Sequence, residues 1–249
     1  GLAAAKLFFA KGDRVYGLSR RPCPEEGIES ICADVTDEAA VRNAIKTVVS
    51  RGGRLDVLVC NAGFGISGAV EFTAYADAKR QFDVNFFGTS NCIRAALPEM
   101  RRQGSGMIIV TSSVAGMLSI PFQAYYSASK AALNSLVLAT ANEVRPYGVR
   151  VAAIMPGDIK TGFTAARTKS NAGSSDYAAL SKSVATMERD EQNGMSPDVI
   201  ARCMYSVSRK RNPKPLRSVG LRYKACCLLG KFLPCRLSNW IVGKMYASK

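Results

Sequence analysis

Tyr126 and Lys130 stand four residues apart in Tyr126-Ser127-Ala128-Ser129-Lys130. On a helix that spacing puts both side chains on one face. A lysine ammonium beside a phenol favours the phenolate and lowers its pKa from about 10 toward working pH. The pair is therefore a candidate acid–base device. The chain has no histidine. That excludes a Ser-His-Asp triad, a Cys-His pair and any histidine-ligated zinc, so proton transfer falls to Tyr, Lys, Cys or a carboxylate. Spacing alone is weak, because with nine Tyr in 249 residues chance supplies roughly half a pair of this kind. Tyr75 and Lys79 form a second copy, read as an ordinary exposed helix turn. Only context separates the two: Tyr126 follows a strand that ends at Ser112-Ser113, and it precedes Pro156-Gly157.

Those strands belong to an alternating pattern. Residues 2–11 read as a helix stopped by Gly12, 14–18 and 28–33 as strands, and 37–51 as a helix ended by Gly52-Gly53. Residues 55–60, 106–111 and 149–155 are largely apolar runs, the signature of strands buried on both faces. Between them lie helical stretches at 75–102, with a kink expected near Pro98, and at 123–147. Residues 158–195 are polar and weakly periodic, as in a lid or loop. Ser196-Pro197 opens a further helix, and 216–219 form a last strand. The expectation is an α/β domain with a parallel sheet covered on both faces.

In such sheets ligands bind at the carboxyl ends of the strands. The residues there are Ser19-Arg20-Arg21, Asp34-Val35, Asn61-Ala62-Gly63, Ser112-Ser113 and Pro156-Gly157. Two arginines at a strand end suit an anion, most readily phosphate. The small residues at 61–63 let a flat ligand approach the backbone.

Taken in order, these motifs resemble the short-chain dehydrogenase/reductase family, from Gly1 to about Thr161 and more loosely beyond. Asp34-Val35 resembles the adenine-contacting pair and Asn61-Ala62-Gly63 the NAG motif. Asn85, in Phe82-Asp83-Val84-Asn85-Phe86-Phe87-Gly88, resembles the catalytic-helix asparagine. Ser113 lies 13 residues before Tyr126, the offset of the catalytic serine; Ser112 is the alternative. Pro156, Gly157, Ile159 and Thr161 resemble the segment that brackets nicotinamide. The resemblance implies a doubly wound Rossmann-type sheet and a hydride exchanged between a nicotinamide cofactor and a carbonyl or alcohol. It gives Tyr126 the proton, Lys130 the tuning of Tyr126 and the nicotinamide ribose, Ser113 the substrate oxygen, and Asn85 a positioned water. For Asn85 and Lys130 structural readings stand beside these, a backbone tie and a solvated lysine.

Relatives that prefer NAD carry an Asp at the end of the second strand. Here Ser19 and Arg20 stand there, so NADP(H) is expected over NAD(H). Gly1 falls where the family has the last glycine of TGxxxGIG. The resemblance thus implies a sheet lacking its first strand and most of that loop, and a fragment that folds marginally and binds cofactor poorly. Phe64, Phe122, Met155 and Phe163 are the candidate substrate walls. A homo-oligomer is implied by analogy.

The net charge of +15 is uneven. Residues 201–249 hold twelve of the 34 bases and none of the 19 acids. The first 200 residues are therefore nearly neutral, with 22 bases against 19 acids; the catalytic domain is read as 1–220 and a basic amphipathic extension follows at 221–249. Three readings compete for that extension: a helix over the substrate pocket, attachment to an anionic membrane surface, and, least favoured, nucleic-acid binding. The extension resembles those of members acting on retinoids, steroids or acyl lipids, which points to an apolar substrate. Eight cysteines without a CxxC pattern read as reduced thiols, and no metal site is expected. The expected location is cytoplasmic, peripheral to a membrane if the extension attaches.

Overall fold

The structure is a computed structural model that describes residues 1–23, 25–170 and 172–247. Helix α1 (Leu2–Ala10) stops just before Gly12, whose φ of 84° suits glycine. Strands β1 (Val15–Ser19) and β2 (Ile28–Cys32) pair in parallel. Helix α2 (Glu38–Gly52) starts where the Asp37 carboxylate accepts from the Ala40 N–H, and ends on left-handed Gly53. Next come β3 (Val57–Cys60), the short β4 (Ile66–Ser67), α3 (Tyr75–Phe82), a π turn (Asp83–Phe87) and α4 (Gly88–Gln103). Strand β5 (Gly106–Thr111) leads through a 3-10 turn (Val114–Gly116) to α5 (Ala124–Glu143). A second 3-10 turn (Arg145–Tyr147) precedes β6 (Val149–Pro156). The chain continues as α6 (Phe163–Ala166), β7 (Thr168–Lys169), α7 (Leu180–Gln192), α8 (Pro197–Ser208), β8 (Leu216–Val219), α9 (Leu221–Phe232) and α10 (Cys235–Tyr246).

The main sheet runs β3–β5–β6–β8, all parallel. Side chains alternate across it, as the pleat requires. On one face Ile108, Val110, Val151 and Ala153 pack against Val41 and Ile45 of α2, Ile93 and Met100 of α4, and Leu133 and Val137 of α5. On the other, Met107, Ile109, Ala152 and Ile154 meet Phe8 of α1 and Ile200, Met204 and Val207 of α8. Two-sided cover explains why β5, and β6 past Arg150, read as apolar runs. This is the expected doubly wound α/β architecture.

Four local expectations are corrected. Strand β3 is shorter than 55–60, because the Gln103 side-chain amide pairs with both Leu55 N and Leu55 O, at 2.8 and 2.9 Å, in place of a strand. Its first three residues are only half-buried. Among the described residues β3 bonds only to β5, and no strand joins it to β1. The irregularity in the 75–102 stretch is the π turn around Asn85, whereas α4 runs on through Pro98. Finally, 158–195 is more than a loop: α7 buries Leu180, Ser183 and Met187 at helical spacing, and β7 pairs with β4. Only two of those three are apolar, too faint a stripe to stand out in the sequence.

Candidate active site

The carboxyl ends of β3, β5 and β6 open into a cavity of about 1130 Å³. Ser113, Tyr126 and Lys130 line it together, as do Gly1, Asn61, Gly63, Pro156, Gly157, Ile159 and Thr161. Local structure fixes the first three. After β5 the backbone turns at Ser113, whose Oγ accepts from the Ala115 N–H at 3.1 Å and starts the 3-10 turn. A Cβ on Gly116 would sit 2.7 Å from the Lys130 carbonyl carbon, so only glycine lets the turn press onto α5. Ser112 Oγ donates to the Lys130 carbonyl at 3.1 Å, tying the same two elements. Ser113 therefore shares the cavity with Tyr126, while Ser112 is turned into the structure.

Lys130 is buried and its Nζ donates to the Thr111 carbonyl at 2.8 Å. Burial pushes its pKa down to about 8. Burial also pushes the Tyr126 hydroxyl up to about 12, against the opposing pull of the Ser113 hydrogen bond. The expected lowering of Tyr126 by Lys130 is thus reversed. The ammonium is directed at Thr111, 5.7 Å from the Tyr126 ring centre, and loss of solvent outweighs the stabilising contacts.

Asn85 is fully buried behind the cavity. Its Oδ1 accepts from Phe64 N at 3.0 Å, and its Nδ2 donates to Phe64 O at 3.1 Å and Ser129 Oγ at 3.2 Å. Ser129 in turn donates to the Tyr126 carbonyl at 2.7 Å. Gln81, four residues earlier and unremarked in the sequence, holds the same strip of backbone: it accepts from Ile66 N at 2.9 Å and donates to Phe64 O at 2.6 Å. Asn85 and Gln81 together lock the loop after β3 against α5. Polar residues at helical spacing in an apolar surrounding are the signal that could have found Gln81.

Other expected residues lie apart from the cavity. Ala62, Phe64, Phe122 and Met155 do not line it, so Phe163 is the one expected wall residue that does. Its ring centre is 5.7 Å from that of Tyr126. Phe64 lies beneath the Arg80 guanidinium, Phe122 packs edge-on against Tyr177, and Met155 is buried in β6. Asp34, Val35 and Arg20 sit at the ends of β2 and β1, away from the cavity lining. Hydrogen bonds from the Thr36 N–H and hydroxyl hold the Asp34 carboxyl low, and the nearby Arg20 charge adds to that. Arg20 itself is exposed.

The far wall holds charges that spacing did not reveal. Asp158 and Glu191 both line the cavity. Glu191 pairs with buried Arg167 and accepts from Thr164 Oγ1 at 2.6 Å. Burial raises the Asp158 carboxyl, which accepts from Tyr223 Oη of α9 at 2.5 Å. Gly157 lies against the Tyr223 ring, where a Cβ would come within 2.3 Å. Helix α9 therefore packs beside the cavity.

A doubly wound parallel sheet with tyrosine, lysine and serine at its carboxyl edge defines a class of α/β oxidoreductase. The chain belongs to the short chain dehydrogenase family, whose model matches residues 1–172. It is 38% identical to the 3-ketodihydrosphingosine reductase of Bacteroides thetaiotaomicron, over 99% of this chain and 94% of that protein. Human 17-beta-hydroxysteroid dehydrogenase type 1 is 40% identical over 57% of this chain and 42% of its own length. A short-chain dehydrogenase structure from Streptomyces avermitilis superposes with a TM-score of 0.86 and 30% identity, covering 98% and 92% of the two chains. The NADP-bound structure of ElxO does so at 0.74 and 26%, covering 90% and 94%.

Proposed function

We propose that this chain is an NADP(H)-dependent carbonyl reductase that acts on an apolar ketone and runs in reverse on the corresponding alcohol. The observation that carries this reading is the convergence of Ser113, Tyr126 and Lys130 in one cavity at the strand ends. The residues fit a nicotinamide dinucleotide. The cavity is large enough for a cofactor and a small substrate together. Gly63 and Gly157 line the cavity without side chains, which would let a planar ring approach the backbone there. When bound, the nicotinamide supplies or accepts the hydride.

The chain's own groups do the rest. Ser113 Oγ holds the carbonyl oxygen, as a donor placed where negative charge develops. Tyr126 Oη gives that oxygen its proton. A hydroxyl pushed up to about 12 stays protonated at neutral pH, which suits reduction. Lys130 Nζ, fixed by Thr111 O, would hold the nicotinamide ribose and would compensate the phenolate left after transfer. Asn85 acts in this reading as a positioning residue, because its amide is spent on Phe64 and Ser129. Pro156, Ile159 and Thr161 would border the nicotinamide. Arg20 supports the choice of NADP(H), since it directly follows β1, where NAD-preferring relatives carry a carboxylate, and a guanidinium there would bind a 2′-phosphate. ElxO's NADP complex agrees with that choice. Phe163 and the reductase and steroid dehydrogenase names of two relatives support an apolar ketone.

The test is oxidation of NADPH by the purified chain with a panel of long-chain and steroid ketones. Turnover should prefer NADPH to NADH, and Arg20→Ala should shrink that preference. Turnover unchanged by Tyr126→Phe overturns the mechanism, and undiminished NADPH preference in Arg20→Ala overturns the cofactor assignment.

A further inference from the structure

The two C-terminal helices meet the rest of the protein by narrow inner faces. Cys227 is the buried residue of α9 and Val242 that of α10. Around Cys227, the Tyr223 hydroxyl reaches Asp158 and Gly230 rests near Leu118. The outer face of a surface helix is ordinarily polar. Here it is apolar. In α9, Leu221, Ala225, Leu228 and Phe232 recur at helical spacing, and Leu221 and Phe232 are 85% and 80% exposed. In α10, Leu237, Ile241 and Met245 repeat the pattern beside Trp240, 59% exposed. Among the described residues, eight of the seventeen exposed large apolar side chains lie in this 26-residue stretch.

Cations rim the stripes. At 100° per residue, Lys224 and Lys231 flank the α9 stripe on one side and Arg222 on the other. Arg236 borders that of α10 on the Trp240 side, and Lys244 stands within it between Trp240 and Leu237, its ammonium 5.8 Å from the Trp240 ring centre. No acid occurs anywhere from residue 201 onward. We propose that the outer face of α9 and α10 binds the surface of a bilayer that carries anionic headgroups. Both helices would lie in the interface, with their apolar stripes below the headgroups and the lysine stems reaching back up to the phosphates.

Charge decides between this surface and its rivals. A second copy would bring two faces of the same sign together, with no acid on either to compensate. A nucleic acid would neutralise the bases and leave the leucines, Phe232 and Trp240 without an apolar partner. Only an anionic bilayer satisfies both features at once. Neither helix is long and apolar enough to cross a membrane, and none of the described residues forms one that is. Pro234 divides the stripe into two twelve-residue helices that can each lie flat. The inference is independent of the redox reading, because binding to a bilayer requires no cofactor.

Trp240 is the chain's one tryptophan, so its emission reports on this face alone. The full chain is mixed with vesicles of phosphatidylcholine, with and without phosphatidylglycerol, and floated on a gradient. The expected result is flotation and a blue-shifted Trp240 emission with the anionic vesicles, weakening as salt rises. Leu228→Ser and Phe232→Ser should each weaken partition about tenfold, given the area each buries. Both positions are exposed, so the fold is undisturbed; an unchanged circular dichroism spectrum confirms it. Absence of flotation with anionic vesicles overturns the proposal, as does equal flotation of wild type and the double variant. A dimer of the wild type that the same substitutions convert to monomer, without vesicle binding, assigns the face to a second copy and overturns it too.

Discussion

The two walls of the cavity are held together by different forces. On the β5–α5 side, Ser112, Lys130, Asn85 and Ser129 are fixed through neutral or backbone hydrogen bonds. On the side formed after β6, the fixed points carry charge: Arg167 against Glu191, and Asp158 beneath Tyr223. Arg167 is fully buried with Nε and Nη1 lacking partners. A wall built on short-range backbone contacts is rigid and tolerates few changes of geometry. A wall built on a buried ion pair depends on both partners at once, because a single removal leaves an uncompensated charge.

The comparison can be broken from either side. The largest effect is expected from Tyr126→Phe, which removes the proton donor and should lower kcat by roughly 10²–10⁴-fold with little change in the thermal midpoint. A midpoint that falls as far as the activity would move Tyr126 from chemistry to packing. On the other wall, Glu191→Gln strands the Arg167 guanidinium and should cost about 3–5 kcal/mol in denaturant unfolding. The double change Arg167→Met with Glu191→Leu should recover most of that loss. If the double variant is no more stable than the single one, the ion pair is not what holds this wall.

Titration sharpens the contrast. Lys130 is depressed from 10.5 to about 8 in the folded chain. Burial of its ammonium therefore costs stability in full below pH 8, and that cost is relieved as pH rises toward 10.5. Tyr126 acts in the opposite sense only as pH climbs from 10 toward about 12. Between about pH 7.5 and 9.5 the Lys130 contribution should improve by about 2 kcal/mol. Lys130→Met should abolish that rise; a wild-type and variant difference that is flat with pH would exclude it. The smallest effect belongs to Tyr223→Phe, which removes one hydrogen bond to the half-buried Asp158 carboxylate. It should cost about 1–3 kcal/mol and leave β5 and α5 undisturbed, as amide exchange would show.

The contrast also explains which parts could be read without coordinates. The catalytic wall is legible because its constraints recur at short, regular offsets. Tyr126 and Lys130 are one helix turn apart, Ser113 follows the preceding strand, and apolar runs mark β5 and β6 as central. The other wall joins Asp158 to Tyr223 across 65 positions and Arg167 to Glu191 across 24. No periodicity links such partners, and the polar residues that carry the pairs also disguise α7 as a loop. The π turn at Asn85 was hidden for a related reason. A helical pattern on both sides of it looks continuous, while the proline that ought to break α4 sits within a helix otherwise well bonded.

By itself, then, the sequence determined the period of the central strands and their flanking helices and the residue types able to move a proton, because these depend on neighbours within a turn or two. It also determined that the charge is concentrated after residue 200. Tertiary structure alone decided the protonation tendencies of Tyr126 and Lys130, since burial sets them and burial is a property of the assembled protein. It decided which of the candidate aromatic residues reach the cavity. It decided, too, that the leucines, Phe232 and Trp240 of the last two helices face outward, because the rest of the surface left only a narrow strip for those helices to cover.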